Sequence, residues 1–169
     1  VNKDRPAKLI GLAQVLAAEN PEFQAVLGPG VGDKATDQFM RKLRERASVL
    51  FRNDFSEKRI CGQNFFAVDF YFPEEQTIVE VALGLPNPAS EFEKDVLKAI
   101  MAQETGQAVA RLVFVSRAGG AKKCSQPGRS AVQIWAKAKH GLAIEVHDLH
   151  GEPRVRKRRR KALRATDVV

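Results

Sequence analysis

The sequence predicts an α/β protein with a mixed β-sheet flanked by helices, and three observations carry that expectation. Apolar residues recur at helical spacing before position 51 and in two later segments. Between them lie dense apolar runs of strand length, Phe65–Phe72, Thr77–Leu83 and Arg111–Ser116. Proline- or glycine-rich turns separate the runs. With 169 residues, 44% of them hydrophobic, the chain is long enough to bury a core.

Element by element, Leu9, Leu12, Ala13, Leu16 and Ala17 predict a helix over 5–27, interrupted at Asn20-Pro21 and followed by a short second turn. A loop follows at Gly28–Gly32. A helix from about Thr36 to Phe51 buries Phe39, Leu43, Ala47 and Leu50. Lys58–Gln63 reads as a first strand, and Phe65–Phe72 as a strand covered on both faces. Pro73–Gln76 turns the chain into Thr77–Leu83, making an antiparallel hairpin. Ser90 and Glu93 are spaced as a capping box, ahead of a stripe of Phe92, Val96, Leu97, Ile100 and Met101. Arg111–Ser116 is a strand, 117–129 a basic glycine-rich loop, Ser130–His140 a helix ending at Gly141, and Leu142–Leu149 the last strand. This organisation reads as one domain over 1–152 with a basic tail over 153–169.

Charge is segregated along the chain. Lys and Arg number 28 against 20 Asp and Glu, a net charge of +8. Eight of the basic residues lie between Pro153 and Arg164 with no acid among them, and without these eight the two signs are equal. The tail therefore reads as a polyanion-binding arm, with Arg156, Lys157, Arg158, Arg159 and Arg160 at its centre. The body is basic over 41–59, acidic over 69–104 and basic again over 105–142. That order suits an acidic, cation-holding site within a phosphate-attracting surface, and it equally suits solvated faces with chance clustering. Cys61 and Cys124 are too far apart for a Cys-x-x-Cys motif, so neither a disulfide framework nor a cysteine-rich zinc site is expected. No apolar run is long enough to span a membrane, and residues 1–20 lack the order of a secretory signal. The expected setting is cytoplasmic or nucleoid-associated rather than secreted.

Two acids stand inside apolar strands, Asp69 and Glu80. An ionised carboxylate there is costly unless it is paired or metal-bound. The hairpin places their strands side by side, where two carboxylates repel unless a cation lies between them. Hard oxygen ligands suit Mg²⁺ or Mn²⁺, which activates water and stabilises a phosphoryl transition state. The alternative is that one acid pairs with an arginine from a neighbouring element.

The order helix, three-stranded meander, helix, strand over about Thr36–Leu149, with Val68-Asp69 and Glu80-Val81-Ala82, resembles the core of the PD-(D/E)xK, or restriction-endonuclease-like, nuclease superfamily. The resemblance implies that Asp69 and Glu80 bind Mg²⁺ or Mn²⁺ with help from the Val81 carbonyl. It also implies hydrolysis of DNA phosphodiesters by an enzyme that often works as a homodimer. Ala82 stands where the motif has lysine. Some members of the superfamily carry that lysine on the following helix, and Lys94 resembles such a relocated residue. The apolar stripe places Lys94 beside it and Lys98 farther away, and places Glu93 near enough to reach the metal. Taken alone, Lys94 reads as a solvated lysine.

In the 117–129 segment, Arg117, Lys122, Lys123 and Arg129 are expected to hold nucleic-acid phosphates, or to belong to a solvated loop. The segment lacks the spacing of a nucleotide-hydrolysing phosphate loop. Trp135 reads as core rather than as a base-stacking platform, and His140, His147 and His150 do not make a zinc site. The functional expectation is a Mg²⁺-dependent endonuclease acting on DNA, with RNA also possible as substrate. The alternative is a non-catalytic nucleic-acid-binding protein with a nuclease-like fold, for which Ala82 speaks. A third reading is a ribonucleoprotein-associated protein whose tail does all the binding.

Overall fold

The computed structural model describes residues 4–21, 31–87 and 90–150. Within them the order is α1 (Arg5–Glu19), α2 (Val31–Phe51), β1 (Ser56–Lys58), β2 (Val68–Phe72), β3 (Thr77–Glu80), α3 (Phe92–Glu104), β4 (Arg111–Ser116), α4 (Gly120–Cys124), α5 (Pro127–His140) and β5 (Ala143–Asp148). The strands form one sheet in chain order, β1-β2-β3-β4-β5. β1/β2 and β2/β3 are antiparallel, whereas β3/β4 and β4/β5 are parallel. The architecture is therefore α/β, a five-stranded mixed sheet flanked by helices.

Helices cover both faces of the sheet, which is why its central strands read as continuous apolar runs. On one face Phe70, Phe72, Val79, Val113 and Val115 pack against Leu9, Ala13 and Leu16 of α1 and Phe39, Leu43 and Ala47 of α2. On the other, Ile78, Leu112 and Phe114 meet Phe92, Val96 and Ala99 of α3 and Ala136 of α5. Each fully buried leucine of these layers contributes about 1.5–3 kcal/mol relative to an exposed one. The parallel pairs need crossovers. Both crossover helices, α3 and α5, pack on the second face.

Polar contacts fasten α1 to the sheet. Asp4 caps the helix by accepting the Ala7 N–H at 3.1 Å. Arg5 reaches Glu74 and Glu75 in the β2–β3 turn, at 2.6 and 2.8 Å. Gln14 donates to the Asp148 carbonyl and accepts the His150 N–H, both at 2.9 Å. The first helix is thus bonded to the end of the last strand.

The differences from the sequence expectation have local causes. α2 begins at Val31, ahead of Thr36, so part of the expected Gly28–Gly32 loop is helical. Residues 22–30, where the second turn and the rest of that loop were expected, lie outside the described residues. β1 lies at Ser56–Lys58, not Lys58–Gln63. The loop after it is shaped by Gly62 at φ +90° and by Asn64, which accepts the Phe66 N–H and donates to the Cys61 carbonyl. β2 starts only at Val68, leaving Phe65 on this loop, 91% exposed rather than covered. β3 ends at Glu80, where a turn closed by Leu83 N–H onto the Val81 carbonyl takes over. Ser90 does not cap α3; its hydroxyl receives a hydrogen bond from Arg129 instead. Within 117–129, Gly120–Cys124 and the residues from Pro127 onward are helical. Gly120 has no room for a side chain, because a Cβ there would lie 2.5 Å from Ser116 Cβ. Leu50, Leu97 and Trp135 are exposed, and Trp135 packs its ring edge-on with His140.

Candidate functional site

β2 and β3 pair with Phe70 opposite Val79, which carries Asp69 and Glu80 to the end of the hairpin away from its turn. There the two acids interlock through the backbone. Asp69 Oδ2 accepts the Val81 N–H at 2.8 Å, and the Asp69 N–H points to Glu80 Oε2 at 3.4 Å. Val81 lies just beyond the end of β3, so the Asp69 carboxylate takes a donor that has left the strand.

A lysine completes the site, and it comes from α3. Lys98 Nζ lies 3.3 Å from Glu80 Oε1 and 2.8 Å from Asp95 Oδ1. All three side chains are buried, Glu80 to 3% exposure and Lys98 to 10%. Asp95 and Lys98 sit three residues apart, one helical turn, so they share one face and Lys98 reaches Glu80 while paired to Asp95. Arg44 of α2 approaches from the other side. Its Nη2 is 3.7 Å from Asp69 Oδ1, and its Nη1 is 2.7 Å from Glu57 of β1.

The electrostatics follow from this crowding. Burial, then the charges of Asp69 and Asp95, push the Glu80 carboxyl well above the usual carboxylate range, against the pull of Lys98. Burial also raises Asp95, opposed chiefly by its hydrogen bond to Lys98. Desolvation acts to lower Lys98, but Glu80 and Asp95 outweigh it and hold the ammonium protonated above its ordinary value. Four acids, Glu57 among them, meet two cations here, and Arg44 approaches Asp69 only to 3.7 Å. The surplus is negative and its donors are hard carboxylate oxygens.

Compared with known proteins, the chain matches no family model, and no curated protein and no solved structure matches it significantly. The reading of the site rests on its own geometry.

That geometry brings Asp69, Glu80 and Val81 together. Val81 enters through its N–H, and its carbonyl accepts the Leu83 N–H at 3.1 Å. Lys94 is not brought to Glu80. It pairs with Glu91 at 2.8 Å and lies over the Phe66 ring at 5.8 Å. Lys98, expected to lie farther off, is the lysine in contact. Glu93 is exposed and points away from the core. The cause is the phase of α3, which buries Phe92, Asp95, Val96, Lys98, Ala99 and Ile100. A stripe counted from apolar residues alone places the charged pair outside. Asp95, Lys98 and Arg44 are therefore the site residues that sequence reasoning missed. The available signal was the Asp95/Lys98 spacing within the acidic stretch that follows the hairpin.

Among the expected phosphate contacts, Lys122 is exposed and Lys123, half-buried, bonds the Gln126 side chain at 2.8 Å. Arg117 is half-buried at the end of β4. Arg129 is a correction. Its guanidinium is buried, donates to the Leu85 and Asn87 carbonyls and the Ser90 hydroxyl, and stacks over Phe92. It holds Leu85, Asn87 and Ser90 and does not face solvent. Arg156, Lys157, Arg158, Arg159 and Arg160 lie outside the described residues.

Among the described residues, no three His, Cys, Asp or Glu side chains are grouped as metal ligands. Mg²⁺ needs fewer than three, since it commonly takes one or two carboxylates and completes its shell with water and phosphate oxygens. Asp69 and Glu80 fit that pattern in ligand type, adjacency and surplus charge. No helix among the described residues is long and apolar enough to cross a membrane.

Proposed function

We propose that the chain is a Mg²⁺- or Mn²⁺-dependent nuclease of the restriction-endonuclease-like kind, hydrolysing DNA phosphodiesters at Asp69, Glu80 and Lys98. The observation that carries this reading is the approach of Lys98 to Glu80 at 3.3 Å beside Asp69. A lysine from the helix after the hairpin stands in for the one that Ala82 lacks. The element order supports the same reading: a helix, an antiparallel meander, a crossover helix and a parallel strand.

Asp69 and Glu80 would hold the metal, which when bound supplies positive charge at the phosphate and acidifies water. The protein's own groups do the rest. Asp69 is fixed by the Val81 N–H, so its second oxygen keeps a constant direction. Lys98, kept protonated between Glu80 and Asp95, orients the attacking water and offsets negative charge developing on the phosphate. Water adds to phosphorus, one bridging P–O bond breaks, and the departing oxygen takes a proton. Lys122 and Lys123, together with the basic tail, would hold the backbone with little dependence on sequence.

The test is nicking of supercoiled plasmid with Mg²⁺ or Mn²⁺, by the parent and by Asp69→Asn. The variant keeps an acceptor for the Val81 N–H, so it is expected to fold and bind DNA while losing cleavage. A parent that binds DNA but cleaves neither DNA nor RNA with either metal would instead establish a non-catalytic binding protein, in which Lys98, Glu80 and Asp95 form a structural ion cluster.

A further inference from the structure

Within the site, access is uneven. Glu80 and Lys98 are nearly closed to solvent, whereas the Asp69 side chain is 27% and that of Arg44 32% exposed. A polyanion approaching from solvent meets Asp69 and Arg44 first, and of these two only Arg44 attracts it.

The bonding of Arg44 is one-sided. Nη1 is held by Glu57 at 2.7 Å. On the opposite edge, Nη2 is 3.7 Å from Asp69 Oδ1, beyond hydrogen-bond distance. Nε on that same edge is buried without a hydrogen-bond partner among the described residues. The Nε/Nη2 edge is the two-donor fork that takes carboxylates and phosphates bidentately. Here it faces Asp69 under-bonded, and a buried donor left in that state costs about 1–3 kcal/mol. An oxoanion on the edge recovers that cost. The guanidinium need not leave Glu57 to do so.

We propose that Arg44 is the phosphate clamp of this site, taking a non-bridging oxygen of the scissile phosphodiester on its Nε/Nη2 edge while Glu57 holds Nη1. The role rests on the nuclease reading above and adds to it a substrate-contacting residue and the side from which the strand approaches. The backbone enters between α2 and the β1–β2 edge, over Asp69, and not from the α3 side where Lys98 and Glu80 are closed. Without substrate, Arg44 also sits as a tethered cation beside Asp69.

Two readouts on the full chain test this: Mg²⁺-dependent plasmid nicking resolved into kcat and KM, and Mn²⁺ binding without DNA, followed by electron paramagnetic resonance. Arg44→Met is expected to lower kcat by about 10²-fold. Its Mn²⁺ affinity should hold or rise, because a neighbouring cation has been removed. Arg44→Lys keeps the charge and the aliphatic stem but not the fork. It is expected to lose at least tenfold in kcat, and it carries the test should Arg44→Met fail to fold. Cleavage by Arg44→Lys within threefold of the parent would overturn the clamp. Loss of Mn²⁺ binding together with cleavage would also overturn it, by making Arg44 a support for Asp69. Failure of the nuclease reading looks different: the parent itself would show no cleavage and no Mn²⁺ binding that Asp69→Asn removes.

Discussion

Replacing Lys98 by Met removes the one buried ammonium from a cluster that holds Glu80 and Asp95, both nearly closed to solvent. Methionine fills much of the same volume, so the perturbation is mainly electrostatic. Removing one partner of a buried ion pair costs about 3–5 kcal/mol, because the remaining charge is left without compensation. For a chain of 169 residues that lowers Tm by roughly 6–20 °C. The loss also depends on pH. In the parent, burial already holds both carboxyls above their ordinary range, and removing Lys98 raises them further. Carboxyls raised in the folded state favour folding below their unfolded-state values and oppose it once pH climbs through the folded ones. The cost of Lys98→Met is therefore expected in full at pH 8 and to shrink as pH falls towards 5. Urea denaturation of parent and variant at the two pH values measures it. The Lys98→Met/Glu80→Gln double variant should recover part of the loss, since it removes one of the stranded charges. A loss under about 1 kcal/mol at pH 8, or one that grows on acidification, would refute the reasoning.

Asp69→Ala should be less stable than Asp69→Asn by about 1–3 kcal/mol in urea denaturation, because only alanine leaves the Val81 N–H without an acceptor; equal stabilities would show that water replaces the carboxylate. Arg129→Ala is expected to cost about 2–4 kcal/mol through the stranded Leu85 and Asn87 carbonyls. At a temperature where it is folded it should bind DNA like the parent, and a selective loss of affinity would return Arg129 to the binding surface. Deleting 153–169 should weaken DNA binding by a similar factor across sequences and flatten its salt dependence. An unchanged salt slope would move that burden to Lys122 and Lys123.

The hairpin and its two acids were legible because an acid inside an apolar strand is a costly exception that stands out. The β4 strand was equally plain, since Leu112–Val115 is apolar on both faces. The lysine was not, and the reason is physical. Apolar periodicity finds the buried face of a helix only when that face is apolar, whereas α3 turns Lys98 inward to meet Glu80, and Asp95 with it to meet Lys98. Local charge pattern cannot report a partner 18 residues away. Arg129 misled for the same reason in reverse. A basic residue in a glycine-rich stretch reads as solvent-facing until the carbonyls of a distant loop are seen to claim it. An arginine partner for one of the acids was foreseen as the alternative, but nothing singled out Arg44 among Arg41, Lys42, Arg44 and Arg46 of α2.

Because the sheet runs in chain order, each described strand after β1 pairs with the strand made just before it. A chain emerging from the ribosome thus meets each new strand's docking edge already present, and no strand has to be inserted between two earlier ones. Assembly is vectorial until its last step. Gln14, made before any strand of this sheet, finds its partners only when Asp148 and His150 arrive. Those two bonds act as a latch between the oldest and newest parts of the structure, so a nascent chain stalled short of β5 would carry α1 without the contact that closes the fold.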